Sequence, residues 1–592
     1  MFQVEQQKIN DLIREYCSDN NLPAPEEIKW NPIPFAGEWG ISTSFFQLAA
    51  KEARQIPGGS NNKIPVPQRA QDIAVGIASH LGTLPGFSKI QAKNGYLNIY
   101  FETSAYSQRI IDKILQEGPD YGCGDSKDER VMVEFSQPNT HKAFHVGHLR
   151  NAILGSVVSN ILECAGYSVI RANYIGDIGW HVIKWLWNYI NFHEGEQPTE
   201  DTTRWMGDIY SEAEKRLEET PEYEPDIRRL FSLWDKRDPD IVALWQKTRG
   251  WSLEGFEQIY KLLGVSFDRV YFESEVEDSG KELVEDLISK GIAEDERPDG
   301  PVIIRIDDIL DLDKEKYRVL VILRSDGTSL YATKDLPLAI LKFKEYDLDR
   351  SVYVIDVRQS LYLQQVFKTL EILGYPWAKD CYHLAYEIVN LPGNVTMKSR
   401  DGTVVLLEDL IREANTRAYK IVTEKNPDLS ENEKGEIANA VAIGALKYTM
   451  LARENEKIVT FDWESALNFD GQAAPYIQYA CVRANSILRR SNQEPIGSVA
   501  PEFELDPTEV QLIDLISRIP FEIQRSAEEL KPLHLTNLVY SIAKAFSDFY
   551  NQCPVLKTSG NQRMFRLRLV LAVRQTLTNL MNLLGIVPLE KM

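Results

Sequence analysis

The sequence holds 592 residues, 43% hydrophobic and 26% charged, the balance of an ordinary globular protein and not of a disordered or fibrous chain. Lys plus Arg number 66 and Asp plus Glu 87, a net charge of −21, which excludes a simple basic coat for nucleic acid but not an enzyme with local basic faces. No apolar run is long enough to span a membrane, the N-terminal MFQVEQQKINDLIREY is too polar for a signal peptide, and six scattered cysteines without a CxxC pair point to reduced thiols in a cytosol rather than a disulfide framework.

The length predicts about three to five domains. Residues 1–30 read as a helix with a Pro-rich exit at Pro23 and Pro25. Residues 43–55 and 66–81 read as helices, and KIQAKNGYLNIYF as two strands about a glycine turn. These make a small α/β domain over 1–115, closed by the loop GPDYGCGDSKDER. Then VMVEF (131–135) predicts a buried strand, SQPNTHKAFHVG a loop, and Gly147 to Gly166 a largely covered helix, with Gly166 as its stop. YSVIRANYI predicts the next strand, so the unit is βαβ with a parallel sheet. Residues 181–265 are Trp-rich and helical in pattern, an insertion between two halves of a sheet domain. Strand-like VIIRI, RVLVIL, SVYVID and YHLAYEIVNL follow, with helices starting near Leu336 and Tyr362. From 403 to 592 the periodicity is nearly all helical, broken at Pro475 and at 495–507. The domains expected are therefore 1–115, 120–410 with the insertion, a helical stem 411–470, and an all-α domain 471–592.

Four of the eight histidines are His141, His145, His148 and His181. Three readings compete for His145-Val146-Gly147-His148: ordinary surface or core histidines, a metal site that adds His141, and phosphate binding at a helix N-terminus. Metal pairs on a helix favour i, i+4 spacing, and no carboxylate completes a familiar zinc pattern. The junction of strand, loop and helix favours the third reading. Free N–H groups and the positive end of the helix dipole point at a ligand there. Gly147 permits close approach, and imidazoles donate hydrogen bonds as charge builds on phosphate oxygens. A crevice at the carboxyl ends of parallel strands is where such a ligand binds. Downstream, LPGNVTMKSRDGTVV holds Lys398, Ser399, Arg400 and Gly402, an exposed cationic turn by itself and a triphosphate clamp when paired with the histidines. Neither stretch is a Walker A loop or a GxGxxG fingerprint.

HVGH at the head of the first βαβ helix resembles the HIGH signature of class I aminoacyl-tRNA synthetases, and TMKSRDG resembles a degenerate KMSKS loop. With the flanks VEFSQPNTHKAFHVGHLRNAILG, SLYATKDL, NFDGQAAPYIQYACVRANSILRR and GIVPLEKM, nearly the whole chain resembles the arginyl-tRNA synthetases, least in 181–260. The resemblance implies a Rossmann-type α/β catalytic domain (parallel sheet), an additional N-terminal α/β domain and an all-α anticodon-binding domain. It implies that arginine attacks the α-phosphate of ATP to give arginyl-adenylate and pyrophosphate, and that arginine then passes to the 3′-terminal ribose of its tRNA. It also implies that tRNA is needed for the first step, and that Mg2+ accompanies ATP and pyrophosphate. Such chemistry rests on positioning and charge stabilisation and needs no covalent nucleophile.

Residue by residue, the resemblance assigns His145, Gly147 and His148 to ATP. Glu134 and Asp335 match positions that bind the arginine side chain, with Tyr331 packing on the guanidinium. Asn139 and Gln359 match positions at the amino and carboxylate end, and Ser136 is added to this group. A full KMSKS loop has two lysines, whereas Thr396 and Ser399 stand at the aligned positions here. Lys142, just before HVGH, together with Lys398 and Arg400, is expected to supply that charge, and Met397 to line the nucleotide. His181 stands where the family more often has Gln and is expected in a pocket wall. Tyr96 and Asn98 match positions reading a D-loop base of the tRNA. Tyr476, Tyr479, Arg483, Arg489 and Arg490, and also Arg563, Arg566 and Arg568, offer aromatic and basic faces for the anticodon arm. A monomer in the cytoplasm is expected. The other readings carried are a non-catalytic tRNA-binding paralogue, a class I synthetase of another specificity, and an HxGH adenylyltransferase acting on a small metabolite.

Overall fold

A computed structural model describes residues 3–25, 27–33, 38–55, 64–198, 201–391, 395–396 and 406–592. The chain divides into two compact units, one of Met1–Gly122, Ala480–Glu522 and Leu538–Leu580, the other of Cys123–Tyr479, Ile523–Asn537 and Met581–Met592. The N-terminal region therefore shares a unit with most of the C-terminal helices.

In the first unit a four-stranded antiparallel sheet runs in the order Asn31–Pro32, Gly40–Ser44, Tyr96–Phe101, Phe87–Lys93. Its hairpin turns at Asn94 and Gly95, both with positive φ, so Tyr96 pairs with Lys93. Leu97, Ile99 and Phe101 face the core, and helix Val66–Leu81 buries Ala70, Ile73, Ala74, Ile77 and Leu81. The helix expected over 43–55 is shorter, Phe46–Gln55, because Gly40–Ser44 is taken by the sheet. Helix Thr103–Glu117 joins the C-terminal helices. Tyr106 Oη donates to Ser517 Oγ at 3.0 Å, and Tyr121 Oη to the Ile516 carbonyl at 3.0 Å. These contacts correct the expectation for two arginines. Arg566 is buried against Glu509 (2.7 Å) and Arg568 against Asp112 (2.6 Å), so both are internal ion-pair partners and offer no basic face.

The second unit is built on a five-stranded, all-parallel sheet. Its strands are β1 (Arg130–Glu134), β2 (Ser168–Ile175), β3 (Arg269–Phe272), β4 (Arg350–Asp356) and β5 (Cys381–Tyr386), in the order β5-β4-β1-β2-β3. β1 is apolar through Val131, Met132 and Val133, as a strand covered on both faces must be. Helix α1 (Val146–Cys164) returns the chain from β1 to β2. It packs close to the sheet at Gly155, where a Cβ would lie 2.2 Å from Phe135. The order reverses between β1 and β4, so their carboxyl ends open the crevice that such a sheet offers a ligand.

The helical insertion is Trp180–Phe192, Thr202–Glu219, Glu224–Asp235 and Pro239–Leu263, with Trp185, Trp187, Trp234 and Trp245 in its core. After β3 come helices α2 (Glu273–Ser289), α3 (Tyr331–Tyr346) and α4 (Ser360–Ile372). VIIRI and RVLVIL do not join the parallel sheet. They pair antiparallel with each other beside Glu294–Asp295, over a core shared with α2, α3 and α4. Alternation along Val319–Leu323, with Val319 and Val321 exposed, fits a sheet covered on one face only. β6 (Val389–Leu391) belongs to a third small sheet with Val395–Thr396 and Val459–Thr460.

The expectation of six reduced cysteines is also corrected, since Cys123 and Cys164 form a disulfide. They are 41 residues apart, but Gly124 N–H donates to the Cys164 carbonyl at 2.7 Å, which brings the linker against the end of α1. Among the described residues no helix is long and apolar enough to cross a membrane.

Candidate active site

The loop after β1 is held in a strained course. Ser136, Gln137 and His141 all have positive φ, a region non-glycine residues avoid. Side chains from several elements hold it there. Ser136 N–H donates to Asn151 Oδ1 (2.7 Å), Gln137 N–H to Asn173 Oδ1 (3.0 Å) and His141 N–H to Ser252 Oγ (2.9 Å). Ser136 Oγ shares a hydrogen bond with Tyr260 Oη at 2.7 Å. His141 is an internal support, buried between Thr140 and Thr248 hydroxyls at 2.9 and 2.8 Å. Burial, with the Arg249 charge nearby, pushes it down to about 3, so it is neutral.

His145 caps α1. Its Nδ1 accepts from Gly147 N–H at 3.1 Å, while His148 Nδ1 accepts from His145 N–H at 3.2 Å. The rings stack 3.8 Å apart at 20°. Since each Nδ1 accepts a backbone proton, the neutral imidazole carries its own proton on Nε2. Burial first, and then the Lys142 charge, lower His145 to about 4; burial, and after it His145 and the Lys142 charge, also hold His148 well below the ordinary histidine value. Two neutral rings are thus fixed as Nε2 donors. Gly147 belongs to this arrangement, because a Cβ there would lie 3.0 Å from the His145 ring.

Beside this turn, at the carboxyl end of β1, lies a cradle of carboxylates. Glu134 Oε1 accepts from Gln137 Nε2 at 2.9 Å, and Oε2 pairs with Lys342 of α3, both groups buried. Glu273 pairs with Lys334 at 2.7 Å. Asp335, one residue after Lys334, accepts from Tyr362 Oη at 2.6 Å. Burial, with the Glu134 and Glu273 charges nearby, pushes Asp335 up to about 7 despite that bond. Among the buried side-chain atoms without a hydrogen-bond partner in the described residues are Tyr174 Oη, His181 Nε2 and, beside Lys342, Tyr353 Oη. The charges of Asp335, Glu273 and Glu134 act on Tyr174, and those of Lys142 and Lys334 on His181. Buried polar atoms left without protein partners beside a charged cradle are what a ligand site presents.

The remaining sequence candidates fall as follows. Asn139 bridges to Gly176, where a Cβ would lie 2.2 Å from Asn139 Oδ1. Gln359, exposed, follows β4 across the crevice. Tyr331 opens α3 and is 69% exposed, so in this structure Tyr362, not Tyr331, meets Asp335. Lys142 Nζ lies over the Tyr210 ring of the insertion at 4.9 Å. Met397, Lys398 and Arg400 lie outside the described residues. The flanks of that segment are described: Val395–Thr396 pairs with β6, and Leu406 forms an antiparallel bridge with His145. Tyr96 is 45% exposed and packs edge-on against Phe46, while Asn98 Oδ1 accepts from Ser42 Oγ at 2.7 Å. Tyr476, Tyr479 and Arg483 share helix Ala474–Ser491, with Arg483 over the Tyr550 ring at 4.8 Å. Pro475 opens this helix rather than interrupting it. Arg563 Nη2 donates to the Ser491 carbonyl at 3.2 Å.

Sequence reasoning missed Lys342, Glu273, Lys334, Tyr174, Tyr362 and Gln137. Lys334, Asp335 and Lys342 stand close together on one helix, and that spacing was the available signal for two of them. Nothing local marks Tyr174, which arrives from β2, or Glu273, which opens α2.

Comparison with known proteins bears on this geometry. Residues 110–463 match the family described as tRNA synthetases class I (R), catalytic domain, and residues 477–592 match the DALR anticodon binding domain. The chain is 34% identical to the arginine–tRNA ligase of Treponema denticola over 99% of this chain and 98% of that one. It is 34% identical to that of Clostridium beijerinckii, over 99% of both. Among solved structures it resembles Thermus thermophilus arginyl-tRNA synthetase, with a TM-score of 0.82, 26% identity, and coverage of 99% of this chain and all of that one.

Proposed function

The chain belongs to the class I tRNA synthetases of the arginine type, and from that premise we propose that it activates arginine with ATP and transfers it to its tRNA. The observation that supports the reading is that one strand–loop–helix carries two unlike groups: neutral imidazoles at the head of α1 and, at the end of β1, a buried carboxylate paired with lysine. The His145 and His148 donors face the triphosphate and stabilise the charge that grows on it as the arginine carboxylate attacks the α-phosphate. No nucleophilic side chain is needed, since the enzyme holds both reactants in line.

Glu134 and Asp335 receive the guanidinium, a planar cation that matches carboxylates in a forked geometry. Tyr174 and His181 line its walls, and Asn139 and Gln359 hold the amino and carboxylate end, with Ser136 behind them. Tyr331 closes over the side chain. Lys142, Lys398 and Arg400 supply cationic charge to pyrophosphate and Met397 lines the base; the pairing of Leu406 with His145 supports this, because it ties one flank of that segment to the histidine turn. Mg2+ enters on the phosphates of ATP. The N-terminal region contacts the D-loop through Tyr96 and Asn98, and helix Ala474–Ser491 contacts the anticodon arm through Tyr476, Tyr479 and Arg483. The enzyme acts as a cytoplasmic monomer.

Arginine-dependent ATP–pyrophosphate exchange, with and without the cognate tRNA, tests the reading, with lysine and glutamate as controls. Exchange with arginine and tRNA together is expected. Tight tRNA binding without exchange would leave a non-catalytic tRNA-binding protein.

A further inference from the structure

Helix α3 supplies both lysines of the cradle. Lys334 pairs with Glu273 at 2.7 Å, and Lys342 pairs with Glu134, but among the described residues Asp335 makes no ion pair and is met by the Tyr362 hydroxyl. Three carboxylates therefore face two ammonium groups, so that with Asp335 ionised one negative charge is left for one guanidinium. Lys342 is the more deeply placed lysine, with no exposed surface. Its Nζ lies over the Tyr353 ring at 4.5 Å, and Tyr353 stands opposite Glu134 in the sheet register. The other groups around it are Tyr271 of β3, whose ring centre is 5.9 Å from Nζ, and Cys381 of β5.

Glu134 is held at both oxygens, Oε1 by Gln137 and Oε2 by Lys342. Gln137 is itself held, accepting from Asn151 Nδ2 at 3.2 Å. A carboxylate offers two acceptor positions on each oxygen. Each oxygen keeps one for a substrate, a fork of the shape that a guanidinium fills. A neutral glutamic acid would offer neither the charge nor the second acceptor. Burying a carboxylate this deeply is costly unless a counter-charge stands against it.

We infer that Lys342 is a positioning residue that sets specificity for the cationic side chain, by standing as the buried counter-charge to Glu134 and orienting it as one arm of the guanidinium fork. The inference rests on Glu134 being an arginine-binding carboxylate, as proposed above. Lys342 acts through Glu134 and does not touch the substrate.

The test is tRNA charging at saturating ATP, on the full chain, with arginine and its neutral isostere citrulline as competing substrates. Four variants are needed: K342M, K342R, E134Q and E134Q/K342M. In K342M the arginine KM should rise at least about tenfold with kcat little changed, and the preference for arginine over citrulline should fall in step. K342R keeps a cation against Glu134 and should restore most of both. In the double variant the arginine KM should equal that of E134Q alone, because Lys342 has nothing left to act on. The double variant loses both charges at nearly constant volume, so it folds even where K342M alone does not. In that event K342R decides, and should hold the arginine KM within about threefold of the parent.

An unchanged arginine KM in K342M would overturn the inference. So would an effect that adds to that of E134Q, or a K342R variant as impaired as E134Q. If E134Q itself left the arginine KM unchanged, the assignment of Glu134 would fall and this inference with it. If E134Q raised it while K342M did not, the inference alone would fall.

Discussion

The histidine turn and the carboxylate cradle begin from the same strand–loop–helix, and lysine charge works on them in opposite senses. At the turn, burial and the charge of Lys142 hold His145 and His148 as neutral rings. In the cradle, ammonium groups from α3 stand against Glu134 and Glu273, the offset a buried carboxylate requires. The turn has to meet a charge that exists fully only in the transition state, and neutral preorganised donors suit that. The cradle has to choose a cation already present in the ground state, and carboxylates held in place by fixed counter-charges suit that. The difference separates rate from recognition, and it can be broken by measurement.

The largest effect is expected at the turn. His148→Ala removes one Nε2 donor and should lower kcat for arginine-dependent exchange by about 10²–10³, with the arginine KM within about threefold of the parent. A large rise in KM with kcat intact would merge the two regions. Next comes the cradle. Asp335→Asn should cut kcat/KM for arginine by about 10–100-fold, most of it in KM, since a charge-assisted hydrogen bond is lost. Charging assays at varied arginine would read this directly.

The pH profile separates the two without mutation. The folded value of Asp335 is raised to about 7 from 3.8, so the empty cradle holds it increasingly protonated as the pH falls below that value. Guanidinium binding requires the ionised form and releases the proton, so arginine affinity rises with pH through that value. The arginine KM should be about tenfold higher at pH 6 than at pH 8. Over the same range kcat at saturating arginine should stay flat, because His145 is already lowered to about 4 and His148 is held well below the ordinary histidine value. A kcat that titrates near the ordinary histidine value would break the comparison. In the Asp335→Asn variant the slope in KM should vanish. The smallest effect is expected away from both regions. Tyr96→Ala removes a 45% exposed ring and should raise only the tRNA KM, by about five- to tenfold if one stacked base is lost.

Much of the architecture was legible from local pattern. The run VMVEF, the helix ending at Gly166 and the strand after it gave the βαβ unit, because a parallel strand is apolar throughout and a helix shows its own period. The insertion and the C-terminal helices were legible for the same reason. VIIRI and RVLVIL were legible as strands but not as a separate antiparallel sheet, since partner and direction are not encoded in a strand's own residues. The disulfide was missed because Cys123 and Cys164 come together through the path of a linker, which spacing does not reveal. Arg566 and Arg568 read as surface by residue type, yet each meets a buried or partly buried carboxylate from another part of the chain.

Residue order alone determined the strand–loop–helix, the helix N-terminus that carries His145 and His148, and the chemistry that such a terminus offers, since these depend on neighbours a few positions apart. Tertiary structure decided the charge states and partners that give the site its character. Lys342 and Glu134 are 208 residues apart and Lys334 and Glu273 are 61 apart, so only folding makes them pairs. Whether a histidine stays neutral or a carboxylate is matched depends on the water removed and the charges brought near, and both are properties of the packed molecule.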